Sequence, residues 1–372
     1  MNPGSVVALT LNMNITRNQA ICMLFCEEYS DDNATRLAKK IEQLGAFDVC
    51  YENDPRRPVL VNLFAIRNDP FTFKRYLTAR SQPDIEKKEN MKFELDSESQ
   101  VVSFLNEAFR PYVEPQNACY SLKNITMKDV YMSVIPKTQC LNGKSEVAFA
   151  LWCSKRKVDL MNVPISRKRE RESNKRYRKL YVMKDEYQDD VVEAVATHIP
   201  RYHNYIQSLK KQNLSIIGYA RKSPGCESNE NRKTLLNRMV KCLQERSLCD
   251  KIFVSSYSVA DEPLMSRDMN ESNDLSNGLE CVFGNTQAMI SYIRSSEKNV
   301  CLVAIDFSGL STNTNDLTTF IENHENLKTI IIDTLPYKHK VHVFERHSVL
   351  ENPSLLNAFN CRSKPVQRSK DV

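Results

Sequence analysis

A short polar sequence, Tyr219-Ala-Arg221-Lys-Ser223, directly follows an apolar run at residues 214–218. Such a run, bounded by turn formers, predicts a buried β-strand, which places Ser223 just past the carboxyl end of that strand. In an α/β fold this edge of the sheet carries the chemistry. A serine hydroxyl is a weak nucleophile unless a neighbour activates it, and Arg221, two residues earlier on the same strand face, could supply positive charge to the serine or to a bound phosphate. The combination favours phosphodiester chemistry over acyl transfer.

The segments that follow Ser223 alternate between helical and strand patterns. The predicted elements, helix and strand in turn, lie at residues 229–247, 250–255, 279–294, 299–306, 315–324 and 327–333. Residues 261–278 are polar with little periodicity and are predicted to form a loop. Strands that alternate with helices predict an α/β fold class, a parallel sheet covered by helices.

With these elements placed, residues 215–342 resemble the catalytic domain of the serine recombinases, the resolvase/invertase family. The resemblance rests on the Tyr-x-Arg-x-Ser motif of the first strand, on the order of strands and helices, and on the carboxylate that ends the third strand. It implies a serine that attacks a DNA phosphodiester to form a 5′-phosphoserine, arginines that hold the phosphate, and no metal or other cofactor. The residues that match the catalytic positions are Ser223 as nucleophile, Arg221, Tyr219, Arg267 and Asp306.

Two arginines of the family's signature are replaced here. The segment after the third strand reads Asp306-Phe307-Ser-Gly-Leu310, with Phe307 and Leu310 at the arginine positions. The family also has an acidic residue after the second strand, and Ser255 or Ser256 takes that position here. Each lost arginine removes a charge-assisted contact to the developing phosphorane, which matters by factors of ~100 or more in rate. Three hypotheses stay open: an active site-specific recombinase or transposase, a catalytically inactive DNA-binding or regulatory derivative of a mobile-element recombinase, and a different α/β domain with a chance motif.

A cluster of basic residues precedes this domain. Residues 166–179 contain eight basic residues and two acidic ones, in a chain whose net charge is only +6. Such a cluster neutralises nucleic-acid phosphates or acts as a nuclear import signal, and a solvated helix with internal Glu–Arg pairs is the alternative. We predict a basic linker and connector helix at residues 155–210, with DNA as the partner. The predicted nucleic-acid-binding residues are Arg167, Lys168, Arg169, Arg171, Lys175, Arg176, Arg178 and Lys179.

Residues 1–154 are predicted to form a smaller α+β domain. Two helical and then two strand patterns lie at residues 18–28, 31–44, 47–51 and 59–64. This order is compatible with a winged helix-turn-helix whose wing touches the DNA backbone, and equally with an α+β domain of another purpose. Further on, residues 97–109 have a helical pattern, residues 124–134 fit a helix or a strand, and residues 145–152 have a strand pattern.

Length and composition complete the prediction. A chain of 372 residues suggests two domains, the second being the resolvase-like α/β domain at 211–345, with a tail at 346–372. No long apolar run and no basic-then-apolar N-terminus are present, so neither a membrane span nor a secretory signal is predicted. Twelve cysteines without Cys-x-x-Cys pairs predict reduced thiols and no zinc cluster, in a nuclear protein if the host is eukaryotic and otherwise a cytoplasmic one. The family resemblance implies a homo-oligomer.

Overall fold

The structure is a computed structural model that describes residues 15–52, 54–79, 93–113, 118–170, 173–269, 275, 278–334 and 340–361. Along residues 167–170 and 173–175 only the main chain is described. The chain divides into two compact units, one spanning Leu9–His198 and the other beginning at Ile199. The division therefore falls inside the segment predicted as a connector and not at residue 154.

Two helices and a small sheet open the first unit. The elements are α1 (Arg17–Leu24), α2 (Asp31–Gln43), β1 (Phe47–Tyr51), β2 (Val59–Asn62), α3 (Leu63–Asn68) and β3 (Lys74–Arg75). Side-chain caps start both long helices: Thr16 Oγ1 accepts from the Gln19 N–H at 3.1 Å and Ser30 Oγ from the Asn33 N–H at 3.1 Å. The three strands form an antiparallel sheet in the order β2-β1-β3. The two helices and two strands predicted here are confirmed.

A second hydrophobic core lies in the rest of this unit, from Leu95 to Val192. Its elements are α4 (Glu98–Ala108), β4 (Phe109–Arg110), β5 (Tyr120–Ile125), α5 (Met127–Val134), α6 (Glu146–Lys155), β6 (Ser166–Glu170), β7 (Ser173–Met183) and α7 (Asp185–Ala196). The long strand β7 is antiparallel to β6 through its first half and to β5 and β4 through its second half. It is therefore the strand that joins the sheet to the hairpin.

The strand predicted at residues 145–152 is wrong, because this segment begins helix α6. Ser145 Oγ caps the helix by accepting from the Ala148 N–H at 3.3 Å. The buried side chains Phe149, Trp152 and Cys153 stand at helical spacing, i, i+3 and i+4. An apolar sequence on both faces of this helix mimicked a buried strand.

The basic linker predicted within residues 155–210 is also wrong, because residues 166–183 form the β6–β7 hairpin. Leu180 and Val182 alternate into the core and bring the whole of β7 into the sheet. The first five residues of β7 pair with β6 alone, so the hairpin continues past the end of β5. The predicted connector helix is confirmed in part, since α7 and a further helix at 198–211 occupy that stretch.

The second unit alternates strands and helices as predicted. Its elements are α8 (His198–Lys211), β8 (Leu214–Arg221), α9 (Asn229–Glu245), β9 (Lys251–Ser255), α10 (Thr286–Ser295), β10 (Asn299–Ile305), α11 (Phe307–Leu310), α12 (Thr314–Asn323), β11 (Leu327–Thr334), β12 (Lys340–Glu345) and α13 (Arg346–Glu351). The sheet order is β12-β11-β10-β8-β9, with β8 to β11 parallel and β12 antiparallel. The predicted parallel α/β sheet is confirmed, β12 is an additional strand, and the helix expected from residue 279 begins only at Thr286.

Helices pack closely on this sheet. A Cβ at Gly218 of β8 would lie 3.1 Å from Leu243 Cδ1 and 3.1 Å from Cys249 Sγ, so these side chains would have to move by a few tenths of an ångström to admit it. Residues 346–361, predicted as part of a tail, belong to this domain because Val349, Leu356 and Phe359 are fully buried in its core. Across the described ranges no helix has both the length and the apolar character that crossing a bilayer requires.

Candidate functional site

The structure brings Arg221 and Ser223 together at the end of β8. The chain continues from β8 to β9 on one side and reaches β10 on the other, so this end is the switch point of the sheet, where α/β folds bind ligands. Ser223 is half-buried, two residues beyond the strand. Arg221 Nη1 donates a hydrogen bond to Ser223 Oγ at 2.9 Å. A cation and a hydroxyl are therefore in direct contact where the sequence predicted them.

The guanidinium of Arg221 is also held by two loops. Its Nη1 donates to the carbonyl of Ser258, and its Nη2 donates to the carbonyl of Ser308 at 2.6 Å. Arg221 is only 7% exposed. The side chain therefore ties the end of β8 to the loop after β9 and to α11, in addition to its contact with Ser223.

Arg232 is a buried arginine beside Ser223 that the sequence motif did not identify. Its Nη1 donates to the carbonyls of Ser223 at 3.0 Å and Ser256 at 2.6 Å, and its Nη2 lies 2.7 Å from Glu227 Oε1. The same carboxylate oxygen is 2.8 Å from Lys222 Nζ, and this hydrogen-bonded ammonium is the main cause that lowers the pKa of Glu227. The ion cluster fixes the loop that carries Ser223.

A sequence signal for Arg232 does exist. It occupies the same helical face as Leu236, Val240 and Leu243, all of which are buried in α9. A cation in an apolar stripe must find acceptors inside the fold, and here they are loop carbonyls and a carboxylate.

Arg267 does not reach Ser223 through any hydrogen bond of the described residues. Its guanidinium is completely buried and donates to the carbonyls of Leu310 at 2.7 Å and Glu262 at 2.8 Å, and to the Tyr219 hydroxyl at 3.2 Å. Tyr219 is also fully buried. These two predicted catalytic residues therefore form the floor of the site and hold the loop after β9.

Asp268, which the sequence analysis did not single out, supplies a carboxylate at the end of β9. Its Oδ1 accepts from Ser255 Oγ at 2.9 Å and its Oδ2 accepts from the Thr286 N–H at 3.1 Å. Thr286 Oγ1 lies 3.0 Å from the Tyr219 hydroxyl, which joins this network to the one around Arg267. No acidic residue follows β9 directly in the sequence, and the loop after β9 brings the Asp268 carboxylate to Ser255 instead. In the sequence, only its position next to Arg267 points to Asp268.

Asp306 lies at the end of β10 in a strained backbone conformation. Its φ of 63° and ψ of 154° fall in a region that essentially only glycine adopts, at a typical cost of about 1–3 kcal/mol. The carboxylate Oδ1 accepts from the Phe307 N–H at 2.6 Å and so caps the short helix α11. The predicted acid is present at the strand end, where it organises the turn.

The two positions that hold arginine in the resembled family belong to the core of this unit. Leu310 is completely buried. The Phe307 ring packs against His342 and Phe359, each with a centroid distance of 5.0 Å, and against Phe344 at 6.2 Å. Packing, and not phosphate binding, explains both side chains.

The predicted DNA-binding cations lie on the β6–β7 hairpin. The strand register places Arg167 opposite Arg176 and Lys168 opposite Lys175. The register thus brings four basic residues into two directly opposed pairs. Arg176 is exposed.

Arg178, one of the predicted DNA-binding residues, is buried. Arg178 is only 8% exposed, and its Nη1 donates to the Val163 carbonyl at 2.5 Å. Burial lowers its pKa. The Arg178 side chain is therefore used inside the fold, and its role as a DNA contact stays a prediction that this burial disfavours, while Lys179, one residue further, is exposed. Arg171 lies outside the described residues.

Comparisons of the chain with protein-family models, with curated proteins and with solved structures give no match. In the described part of the chain no group of three or more His, Cys, Asp and Glu side chains is arranged to hold a metal ion.

Proposed function

We propose that this chain is a DNA-binding protein whose α/β unit is a serine-recombinase-like domain that does not cleave DNA. The observation that carries the proposal is the state of Arg221, Arg232 and Arg267: each is at most 7% exposed and is hydrogen-bonded to main-chain carbonyls. Metal-free phosphoryl transfer relies on preorganised cations at the developing phosphorane charge. Guanidinium groups that are buried and already bonded to loop carbonyls are held away from that charge.

The resolvase-like part of the proposal is supported by position. The Tyr-x-Arg-x-Ser segment lies at the switch point of the sheet, and Asp306 ends the neighbouring strand β10. The register pairs Tyr219 of β8 with Ala304 of β10, so the two strand ends lie side by side. Homo-oligomerisation, which the resemblance also implies, stays a prediction.

The surroundings of Ser223 support the absence of cleavage. Within the described residues, Arg221 is the only side chain that hydrogen-bonds the Ser223 hydroxyl. Arginine stays protonated and has no acceptor, so it cannot take the serine proton. Activation of serine needs such an acceptor or a strongly stabilised oxyanion. Phe307 and Leu310 remove the cations that would stabilise it.

The β6–β7 hairpin supports DNA as the partner. Apart from the buried Arg178, seven basic residues in fourteen positions can neutralise phosphates in a manner that does not depend on base sequence. The hairpin extends past the sheet by the residues of β7 that pair only with β6. A cationic two-stranded ribbon of this kind fits along the phosphate backbone.

A second candidate, the active recombinase, is favoured by one observation. The 2.9 Å contact between Arg221 Nη1 and Ser223 Oγ is the arrangement that would stabilise a serine oxyanion. In that case the serine oxygen attacks phosphorus and loses its proton to solvent, the bond between phosphorus and the 3′-oxygen breaks, and the leaving 3′-oxygen takes a proton from solvent to become a 3′-hydroxyl.

Trapping of a covalent adduct separates the two candidates. Full-length protein is incubated with supercoiled plasmids that carry a random-sequence insert, and protein–DNA adducts are isolated under denaturing conditions. We expect DNA retention under native conditions and no adduct from either the wild type or Ser223→Ala. An adduct that Ser223→Ala abolishes would establish the active candidate, and an adduct at another residue would refute the site assignment.

A salt series tests the assignment of DNA binding to the hairpin. Replacing Arg167, Lys168, Lys175 and Arg176 with glutamine should reduce the log–log salt slope of binding by about 3–4, because each phosphate contact contributes about 0.9. The matched control removes the same charge from exposed positions elsewhere, Lys39, Lys40, Arg238 and Lys241. A slope that the hairpin variant leaves unchanged would place the DNA contacts on another surface.

A further inference from the structure

Residues 98–183 follow a connectivity that differs from that of residues 18–64, where the sequence predicted a winged helix. Helix α4 is followed by strand β5, the adjacent helices α5 and α6, and the β6–β7 hairpin, with β7 pairing to both β5 and β6. Helices α4, α5 and α6 share one core with β7. A strand, two adjacent helices and a terminal hairpin are the connectivity of a winged helix, in which the second adjacent helix enters the major groove and the hairpin is the wing.

Helix α6, the second of the adjacent helices, presents an apolar pair to solvent. Val147 is 80% exposed and Leu151 is 56% exposed, and the spacing of i and i+4 makes them neighbours on one helical face. The opposite face is core, with Phe149 and Trp152 buried. Single exposed aliphatic residues are ordinary, but two adjacent ones on a helix form a surface that gains by contacting an apolar partner.

Helix α6 and the hairpin are held to the same frame. Trp152 Nε1 donates to Glu98 Oε1 at 2.9 Å, which fixes α6 on α4. Arg178 of β7 donates to the Val163 carbonyl at 2.5 Å and lies 3.9 Å from Met161 Sδ, which fixes the segment between α6 and β6. The buried arginine of the hairpin thus ties β7 to the segment that leads from α6 to β6.

The charges around the apolar pair select the partner. Lys155 is exposed at the last turn of α6, Lys144 lies just before its cap, Glu146 is the one exposed acid in its first turn, and the hairpin that follows α6 in the chain carries the opposed cations. An apolar pair on a helix with a lysine at each end matches the DNA major groove, where thymine methyl groups lie between two phosphate backbones. A purely apolar protein surface would leave those cations unpaired.

We propose that residues 98–183 form a winged-helix surface for duplex DNA, with α6 in the major groove and Val147 and Leu151 on thymine methyl groups. The β6–β7 hairpin then follows the adjacent backbone. This inference rests on the proposed DNA-binding function and adds base selectivity to it, since phosphate contacts set affinity and base-edge contacts set specificity.

The test uses the full-length chain. Duplexes of 30 base pairs are selected from a random pool, and fluorescence anisotropy compares a selected duplex, the same duplex with uracil in place of thymine, and an unselected duplex. Replacing both Val147 and Leu151 with serine should weaken binding to the selected duplex at least tenfold and leave binding to the unselected duplex within twofold. Uracil should produce a similar loss in the wild type and little further loss in the double variant. Phe64→Ser, at a side chain that is 74% exposed on α3, is the control and should change neither affinity.

Each other outcome has a defined meaning. If the selected duplexes share no sequence, or if the double variant keeps full selectivity, α6 does not read bases, while the effect of the hairpin substitutions would still uphold the proposed function. If the wild type binds no duplex even at low salt, the DNA-binding function itself is overturned.

Discussion

The sheet end of the α/β unit and the half of the β6–β7 hairpin that extends past β5 use the same residue type in opposite ways. In the α/β unit, Arg221, Arg232 and Arg267 are buried and donate to main-chain carbonyls, whereas Arg176 on the β6–β7 hairpin is exposed. The difference follows from the backbone around them. Loops that cross the end of a parallel sheet leave carbonyls without ladder partners, and buried guanidinium groups satisfy them. The carbonyls of an antiparallel hairpin are largely used by the partner strand. Arginine is therefore structural at the sheet end and available for an anion on the hairpin.

The largest effect should come from restoring an arginine of the family signature. Leu310→Arg would place an unpaired charge in the core and should lower the free energy of unfolding by more than about 4 kcal/mol. Phe307→Arg should cost less because Phe307 is only half-buried. Urea denaturation followed by circular dichroism measures both, with Leu310→Met as a control expected below about 1.5 kcal/mol. A Leu310→Arg protein that folds normally and cleaves DNA would end the distinction between the two regions.

Removal of a buried guanidinium should be the next largest effect. Arg267→Met leaves the carbonyls of Leu310 and Glu262 without donors and should reduce the free energy of unfolding by about 3–5 kcal/mol. Arg238→Met, at an exposed position of α9, is the matched control and should stay within about 0.5 kcal/mol. An Arg267→Met protein of normal stability with impaired DNA binding would assign Arg267 to function instead.

The strained turn at Asp306 should give an intermediate effect. Asp306→Ala keeps the unfavourable backbone angles and loses the hydrogen bond to the Phe307 N–H, whereas Asp306→Gly loses the same bond but removes the strain. The glycine variant should therefore be more stable than the alanine variant by about 1–3 kcal/mol. Paired thermal and urea unfolding decides this, and equal stabilities would mean that the turn stores no strain.

The smallest effect concerns His324, a buried site that faces a cation. Its Nε2 accepts from Arg294 Nε at 3.3 Å and its Nδ1 lies 2.7 Å from the Phe320 carbonyl. Burial, chiefly, lowers the pKa of His324 below its ordinary value of 6.5, with a smaller contribution from Arg294. The folded state thus binds the proton more weakly than the unfolded state, so the stability from this group is present above pH 6.5 and is lost as the pH falls through the folded pKa.

The matching measurement is the free energy of unfolding between pH 7.5 and 5. One proton limits the slope to about 1.4 kcal/mol per pH unit. His324→Gln should flatten the decline, and the exposed His347→Gln should not. If His324→Gln keeps the wild-type slope, another group is responsible for it.

Local sequence patterns predicted most of the α/β unit but not the hairpin. Strands β8 to β11 are apolar runs, and helices α9 and α12 have apolar residues at helical spacing, so periodicity locates them. The polar half of the hairpin shows no periodic spacing of apolar residues. It forms a strand only because it continues β7 from the part that Leu180 and Val182 anchor in the core. The sequence pattern does not predict strand β12, because this edge strand is defined by its pairing with β11.

The candidate site shows the same division. The motif placed Arg221 next to Ser223, because residues two positions apart in an extended segment stay close whatever the fold. The hydrogen bonds of Arg232 with the Ser256 carbonyl, of Arg267 with the Leu310 carbonyl and of Asp268 with Ser255 were not predictable, since they join residues that are 24, 43 and 13 positions apart in sequence.

By itself, the sequence determined the strand-helix order of the α/β unit, the serine at the end of its first strand and the concentration of positive charge between residues 166 and 179. The tertiary structure alone decided that Phe307 and Leu310 pack in the core, that three arginines are hydrogen-bonded to main-chain carbonyls, and that the basic segment is a hairpin extending from the sheet. The reason is physical: periodicity reports how a segment meets its own core, whereas the partners of a buried cation are set by loops that the fold brings together.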